Sequence, residues 1–104
     1  MNKFDVYITE PAENDIRDIA RYISAQLNAP KAALNLINAI HAATKKLVTD
    51  ALIYPYVRDD RLAALGYRFY IVKNYILFYI VNEKAKTVDV DRVLYARRDW
   101  QNIL

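Results

Sequence analysis

A chain of 104 residues with 55% apolar side chains has room for one domain, residues 1–104, and enough hydrophobic surface to bury a core without cross-links. It contains no cysteine, which excludes disulfides and thiol catalysis and leaves a zinc ion only His41 besides carboxylates. The net charge of +3 is unevenly placed: residues 1–52 balance to zero, while residues 53–104 carry the whole excess together with seven of the nine tyrosines. A basic, tyrosine-rich half suits nucleic acid or an acidic protein partner.

Residues 4–9 alternate in polarity and predict a short strand. Thr9 then offers a helix N-cap, with Pro11 in the first turn, where a missing N–H costs nothing. Ala12, Ile16, Ile19, Ala20, Ile23 and Leu27 form a helical stripe. Glu10 and Glu13 at its start and Arg21 near its end suit the helix dipole. Asn28 and Pro30 end that helix and open a second, whose face is Ala33, Ile37, Ile40, Thr44 and Leu47, widened by Leu36, with Lys45 and Lys46 in its last turn. So short a join predicts an antiparallel helix hairpin. From Asp50 to Leu65 periodicity fails. Tyr54-Pro55-Tyr56 cannot continue a helix, and a charged loop follows, with a short helical turn at 61–65.

Gly66, the single glycine, precedes a strand over Tyr67–Val72. Lys73-Asn74 turns it into Tyr75–Val81, and residues 82–86 turn again into Thr87–Tyr95. Three strands with tight joins predict an antiparallel meander. Asp99 caps a final helical turn over 99–104. The expected class is α+β in the order β-α-α-β-β-β, a two-helix hairpin packed on one face of a small, mostly antiparallel, twisted sheet. The other face is expected to stand partly open.

Alternation along the strands assigns side chains to faces. Tyr67, Phe69 and Ile71 are expected to meet the helices, which leaves Arg68 and Tyr70 on the open face. The strand from Tyr75 is apolar on both sides, the mark of a central strand. That also predicts an apolar centre on the open face, suited to protein docking. His41 reads as a helix-surface or packing residue. Asp59 and Asp60 read as part of a loop salt-bridge cluster with Arg58 and Arg61, and Asp89 and Asp91 as solubilising charges on an edge strand. No metal or cofactor is expected. No signal peptide is expected either. The longest apolar run, Tyr75–Val81, is far short of the ~20 residues of a membrane-spanning helix. The expected location is the cytoplasm.

The element order and three stretches, ITEPAENDIRDIARYI, GYRFYIVKNYILFYIV and VDRVLYARRDW, resemble the RelE/ParE superfamily of bacterial toxins across essentially the whole chain. The resemblance implies a toxin that inhibits bacterial growth and is neutralised by a small cognate antitoxin with an acidic, partly disordered segment. Two activities occur in the superfamily. RelE-like toxins enter the ribosome and cleave mRNA without a metal, using basic side chains on the open sheet face. ParE-like toxins poison DNA gyrase. By this resemblance Arg68 and Arg97 are the catalytic candidates, whereas Tyr70 and Ile76 stand where the nucleases carry basic residues. Tyr70, Lys73, Tyr79, Arg98 and Trp100 are the expected contacts to substrate or partner. Ribosome-dependent mRNA cleavage is the leading expectation. Gyrase inhibition, or a non-toxic binding module that kept the fold, is the alternative.

Overall fold

The structure is a computed structural model and describes residues 3–104. β1 (Asp5–Ile8) leads into α1 (Glu10–Arg21) through Thr9. The Thr9 hydroxyl accepts from the Ala12 amide at 3.4 Å and lies 3.0 and 3.1 Å from the Val90 and Asp91 carbonyls, so one side chain caps the helix and ties it to the sheet. The chain then widens into a π-helical turn over Tyr22–Gln26, with the Leu27 amide donating to the Tyr22 carbonyl. Asn28 takes the left-handed conformation, and Pro30 opens α2 (Pro30–Asp50). α2 buries Ala33, Leu36, Ile40, Ala43 and Leu47, and continues past the Lys45-Lys46 pair to Asp50.

Asp59 caps the short α3 (Asp60–Ala64), its carboxylate accepting from the Leu62 amide at 3.0 Å. Gly66, at φ +94°, makes the reversal into β2 (Tyr67–Val72). Lys73 and Lys86 take left-handed turn positions before β3 (Tyr75–Asn82) and β4 (Thr87–Tyr95). A last turn, α4 (Trp100–Ile103), follows Asp99. Asp99 stands at the cap position, but its carboxylate accepts from the Asn102 side chain at 2.6 Å and makes no backbone cap.

The sheet order is β1-β4-β3-β2, with β1 parallel to β4 and the other pairs antiparallel. β4 is therefore a central strand, so Asp89 and Asp91 are not edge-strand charges. At Phe78/Tyr79 the ladder carries a bulge that leaves Asp91 unpaired and sets Asp91 and Arg92 side by side on one face.

Each face of the sheet has its own core. On one side α1 and α2 pack on Leu77, Tyr79, Val88, Val90 and Val93, with Tyr70 and Tyr75 at the margin. On the other, Phe78 and Leu94 pack with Val57 and Leu62 beneath Tyr67, Phe69, Ile76, Trp100 and Leu104. β2 is thus turned over relative to the sequence expectation. Tyr70 faces the helices, while Tyr67 and Phe69 face away. The pairs Tyr70↔Leu77 and Phe69↔Phe78 enforce this, because residues directly opposite share a face. Nor is the second face open, since α3 and the tail close over its apolar centre.

Candidate functional site

Arg68 occupies the rim where α2 leaves the sheet. Its guanidinium donates to the Tyr54 carbonyl at 2.6 Å and the Leu52 carbonyl at 3.4 Å, and lies 4.0 Å over the Tyr56 ring. These carbonyls follow the C-terminus of α2, where a helix leaves acceptors unpaired and favours a cation. Tyr79 does similar work from below: its hydroxyl donates to the Ala51 carbonyl at 2.7 Å, and the residue is fully buried. Residues 55–57 then pair along the outer edge of β2, through Val57 N–H to Tyr67 and Phe69 N–H to Pro55. Arg68 is consequently not on an open face, and Tyr79 has no exposed surface to offer a partner. Tyr70 stacks on Tyr54, ring centroids 4.3 Å apart, and is a packing contact under the same segment.

Arg97 lies elsewhere. The strand stops at Tyr95, and the Arg98 amide donates back to its carbonyl, so Arg97 and Arg98 sit on an exposed turn rather than alternating along a strand. Arg68 is level with Tyr79 and Val90, whereas Tyr95 is level with Tyr75 and Val72. That separates the backbone of Arg68 from Tyr95, two residues before Arg97, by roughly 13 Å along the strands and about 10 Å across them. Trp100 packs on Phe78, centroids 5.5 Å apart, and holds the tail to the second face. Arg61 secures the same tail by donating to the Gln101 carbonyl at 2.8 Å.

Beside β1 the exposed part of the second face is acidic. Tyr7, Asp89, Ile80 and Tyr67 form one cross-strand row, with Asp5 flanking it. The Asp91 carboxylate accepts from the Tyr67 hydroxyl at 2.6 Å. Burial and this hydrogen bond push the Tyr67 phenol up to about 12. Burial, with Tyr70 alongside, also raises Tyr54 to about 12, and burial raises Tyr79 as well, against the opposing charge of Arg68. All three phenols are held protonated, the reverse of what a tyrosine base requires.

A groove of about 800 Å³ lies at the far end of the sheet, between α1 with its π-helical turn and the Tyr75–Tyr95 strand ends. Tyr22, Ile19, Ile23 and Leu27 form one wall. Tyr75 and Tyr95, in edge-to-face contact at 5.7 Å, form the other, with Lys73 and Arg98 at its mouth. Burial, then the neighbouring Tyr95 and Tyr22, raise Tyr75 as well. Asp15 fixes the groove's base. Its carboxylate accepts from two of the three Arg92 side-chain nitrogens, Nε at 2.7 Å and one Nη at 2.8 Å, and from the Val93 amide at 3.0 Å, where β1 no longer covers the edge of β4. These hydrogen bonds are the first cause of a raised Arg92 pKa, and this is the one ion pair among the described residues. The Arg58–Arg61 cluster expected in the loop is replaced by the Asp59 cap.

Of the expected site residues, Lys73 and Arg98 line the groove; Arg68, Tyr70, Tyr79 and Trp100 belong to the packing, and Arg97 stands on the exposed turn. Tyr22, Tyr75 and Tyr95 were not singled out as site residues by the sequence. The available signal was an α1 stripe running on through Ile23 and Leu27, longer than a four-strand sheet uses.

This fold is shared with solved chains from two bacterial toxin–antitoxin systems. The chain is similar to a chain of the chromosomal ParDE system from P. aeruginosa at 17% identity and TM-score 0.75, covering 93% of this chain and 100% of that one. It is similar to a chain of the RelBE2 toxin–antitoxin complex from Mycobacterium tuberculosis at 18% identity and TM-score 0.62, covering 89% and 98%. No curated protein matches the sequence. The family model described as the ParE toxin of the type II toxin–antitoxin system parDE matches residues 6–100, and the chain belongs to that family.

Proposed function

We propose that this protein is a growth-arresting toxin that acts by docking on a protein target of the DNA gyrase type rather than by cutting mRNA, and that a co-encoded antitoxin keeps it silent. The observation that carries this reading is the geometry of Arg68. The cation expected at a scissile phosphate is spent on the Leu52 and Tyr54 carbonyls and on the Tyr56 ring. Arg97 stands on a separate turn, beyond the end of β4 and two strands across from Arg68. RNA cleavage needs cations converging on one phosphate and a group to take the proton of the attacking hydroxyl. The shifted tyrosines are held neutral by burial, and the exposed part of the second face bears Asp5 and Asp89, which repel a phosphate backbone.

Expression of the chain alone in a bacterium is expected to stop growth and to introduce gyrase-dependent DNA breaks while ribosome-bound message stays intact. Message cut at the ribosomal A site, with cutting abolished by Arg97→Ala, would replace this reading with the nuclease. Normal growth at high soluble expression would reject the toxin altogether in favour of a binding module. Gyrase is cytoplasmic, so the reading places the chain there. No helix among the described residues is long and apolar enough to cross a membrane.

A further inference from the structure

We infer that this chain pairs with a second copy of itself through the outer edge of β1, the two strands running antiparallel so that two four-strand sheets join into one of eight. The proposed function leaves this edge unused, so self-pairing stands independently of that reading.

The first support is an open edge. The sheet order places β1 and β2 outermost, and residues 55–57 pair along β2. No backbone segment among the described residues pairs along the outer side of β1. The amides of Asp5 and Thr9 donate inward, to the Lys86 and Val90 carbonyls. In a parallel ladder the alternate residues, Val6 and Ile8, therefore turn both N–H and C=O away from the sheet. No turn, loop or side-chain hydrogen bond among the described residues engages these four groups, whereas the outward N–H of Phe4 is taken by the Val48 carbonyl at 2.8 Å. An uncovered edge is normally blunted by a proline, a bulge or a lysine on the strand. β1 carries none of these and presents Tyr7, 54% exposed.

The second support is self-complementarity. One register occupies all four groups on each copy: Val6 opposite Ile8 of the second copy, and Ile8 opposite its Val6, with Tyr7 on the two-fold axis. Centring on Val6 would set Ile8 against Phe4, whose N–H is already bonded, and centring on Ile8 would set Val6 against Glu10, which belongs to α1. On the axis each Tyr7 meets its mate as a non-hydrogen-bonded pair, the closest cross-strand approach for side chains. On the helix side, a depression of about 330 Å³ between β1 and Thr44, Lys45 and Val48 of α2 leaves room for Val6 and Ile8 of the second copy.

The third support is charge. Lys3 precedes β1, and Lys45 lines the depression beside Phe4 and Asp5, whereas Glu10 and Glu13 stand in the first turn of α1, past the other end of the strand. All four are exposed and in no ion pair among the described residues. Antiparallel pairing sets the basic end of each copy against the acidic end of the other, twice over by symmetry. Asp5 then lies opposite Thr9, clear of Asp5 of the second copy.

The test uses the purified chain, followed by sedimentation velocity and amide exchange. A dimer should be populated at about 100 µM and dissociate on dilution, since so short an edge gives an interface at the weak end of the range. Exchange at the Val6 and Ile8 amides, open in the monomer, should slow as concentration rises. Tyr7→Lys should weaken association by about 30-fold or more, because two ammonium groups then meet on the axis. Lys45→Glu and Glu10→Lys should each weaken it about tenfold, and the two together should return it to within about threefold of the parent. Arg58→Glu, beyond the opposite edge of the sheet, changes net charge as much as Lys45→Glu and should stay within about twofold. Every substituted side chain is exposed, and thermal melts matching the parent establish that each variant is folded. A chain that stays monomeric at that concentration overturns self-pairing. So does a dimer indifferent to Tyr7→Lys, or one weakened by the single charge changes and not restored by the exchange. If Val6 and Ile8 are protected only when the co-encoded product is added, the edge belongs to that protein and self-pairing is again overturned. Growth arrest and gyrase-dependent breaks decide the toxin reading separately.

Discussion

Arg68 donates to two carbonyl oxygens at the exit of α2. Arg68→Ala is expected to destabilise the fold by about 2 kcal/mol, from the loss of charge-assisted hydrogen bonds and of the contact with Tyr56. Urea unfolding measures it, and Arg68→Lys should recover only part, because an ammonium lacks the planar fork. A catalytic arginine would instead leave stability unchanged. The phenols of Tyr54 and Tyr67 make a second prediction. Their pKa values are raised in the folded state, so the neutral form is the one folding favours. That contribution is fully present below the unfolded value of about 10 and is lost as pH rises toward about 12. Urea midpoints should hold from pH 8 to about 9.5 and then fall, and Tyr67→Phe should fall less steeply. The sequence could name these residues but not their partners. Arg68 is recognisable as a cation on a strand. That its acceptors lie in the segment leaving α2 follows only from which way β2 is turned, and alternation alone leaves both choices open.

The elements differ in how much of them the residues announce. Thr9, Pro11, Asn28, Pro30 and Gly66 mark starts and stops by local chemistry, and each sits at a boundary of the structure. The π-helical turn and the docked tail have no such local signature, because both depend on what they pack against. Trp100 is the only tryptophan, so its fluorescence reports whether α4 remains on Phe78. Its emission in urea should shift together with the far-UV signal of the helices; an earlier shift would mean that the tail undocks on its own. Asp15 joins α1 to β4 through three hydrogen bonds. Asp15→Ala should cost about 3 kcal/mol, since Arg92 and the Val93 amide lose their acceptor together. The loss should appear as faster amide exchange in α1 before the meander is affected.

At the scale of the whole molecule β3 is covered on both sides, with Leu77 and Tyr79 in one core and Phe78 in the other. Its unbroken apolar run made that placement legible. The second core was not, because it is assembled from Val57, Leu62 and Leu94, which lie far apart in the chain and show no shared period. β3 amides should be among the slowest to exchange, and matching protection in the edge strand β2 would show that the two layers do not open separately. The pairing of β1 with β4 also sets a clock. The Thr9 side chain and its carbonyl on Val90 are 81 residues apart. At a translation rate of about 5–20 residues per second, the first strand waits roughly 4–16 s for the strand that will hold it. The sheet thus cannot close while most of the polypeptide is being made. A new molecule has no finished toxin surface during that interval, and an antitoxin gains the same seconds in which to arrive.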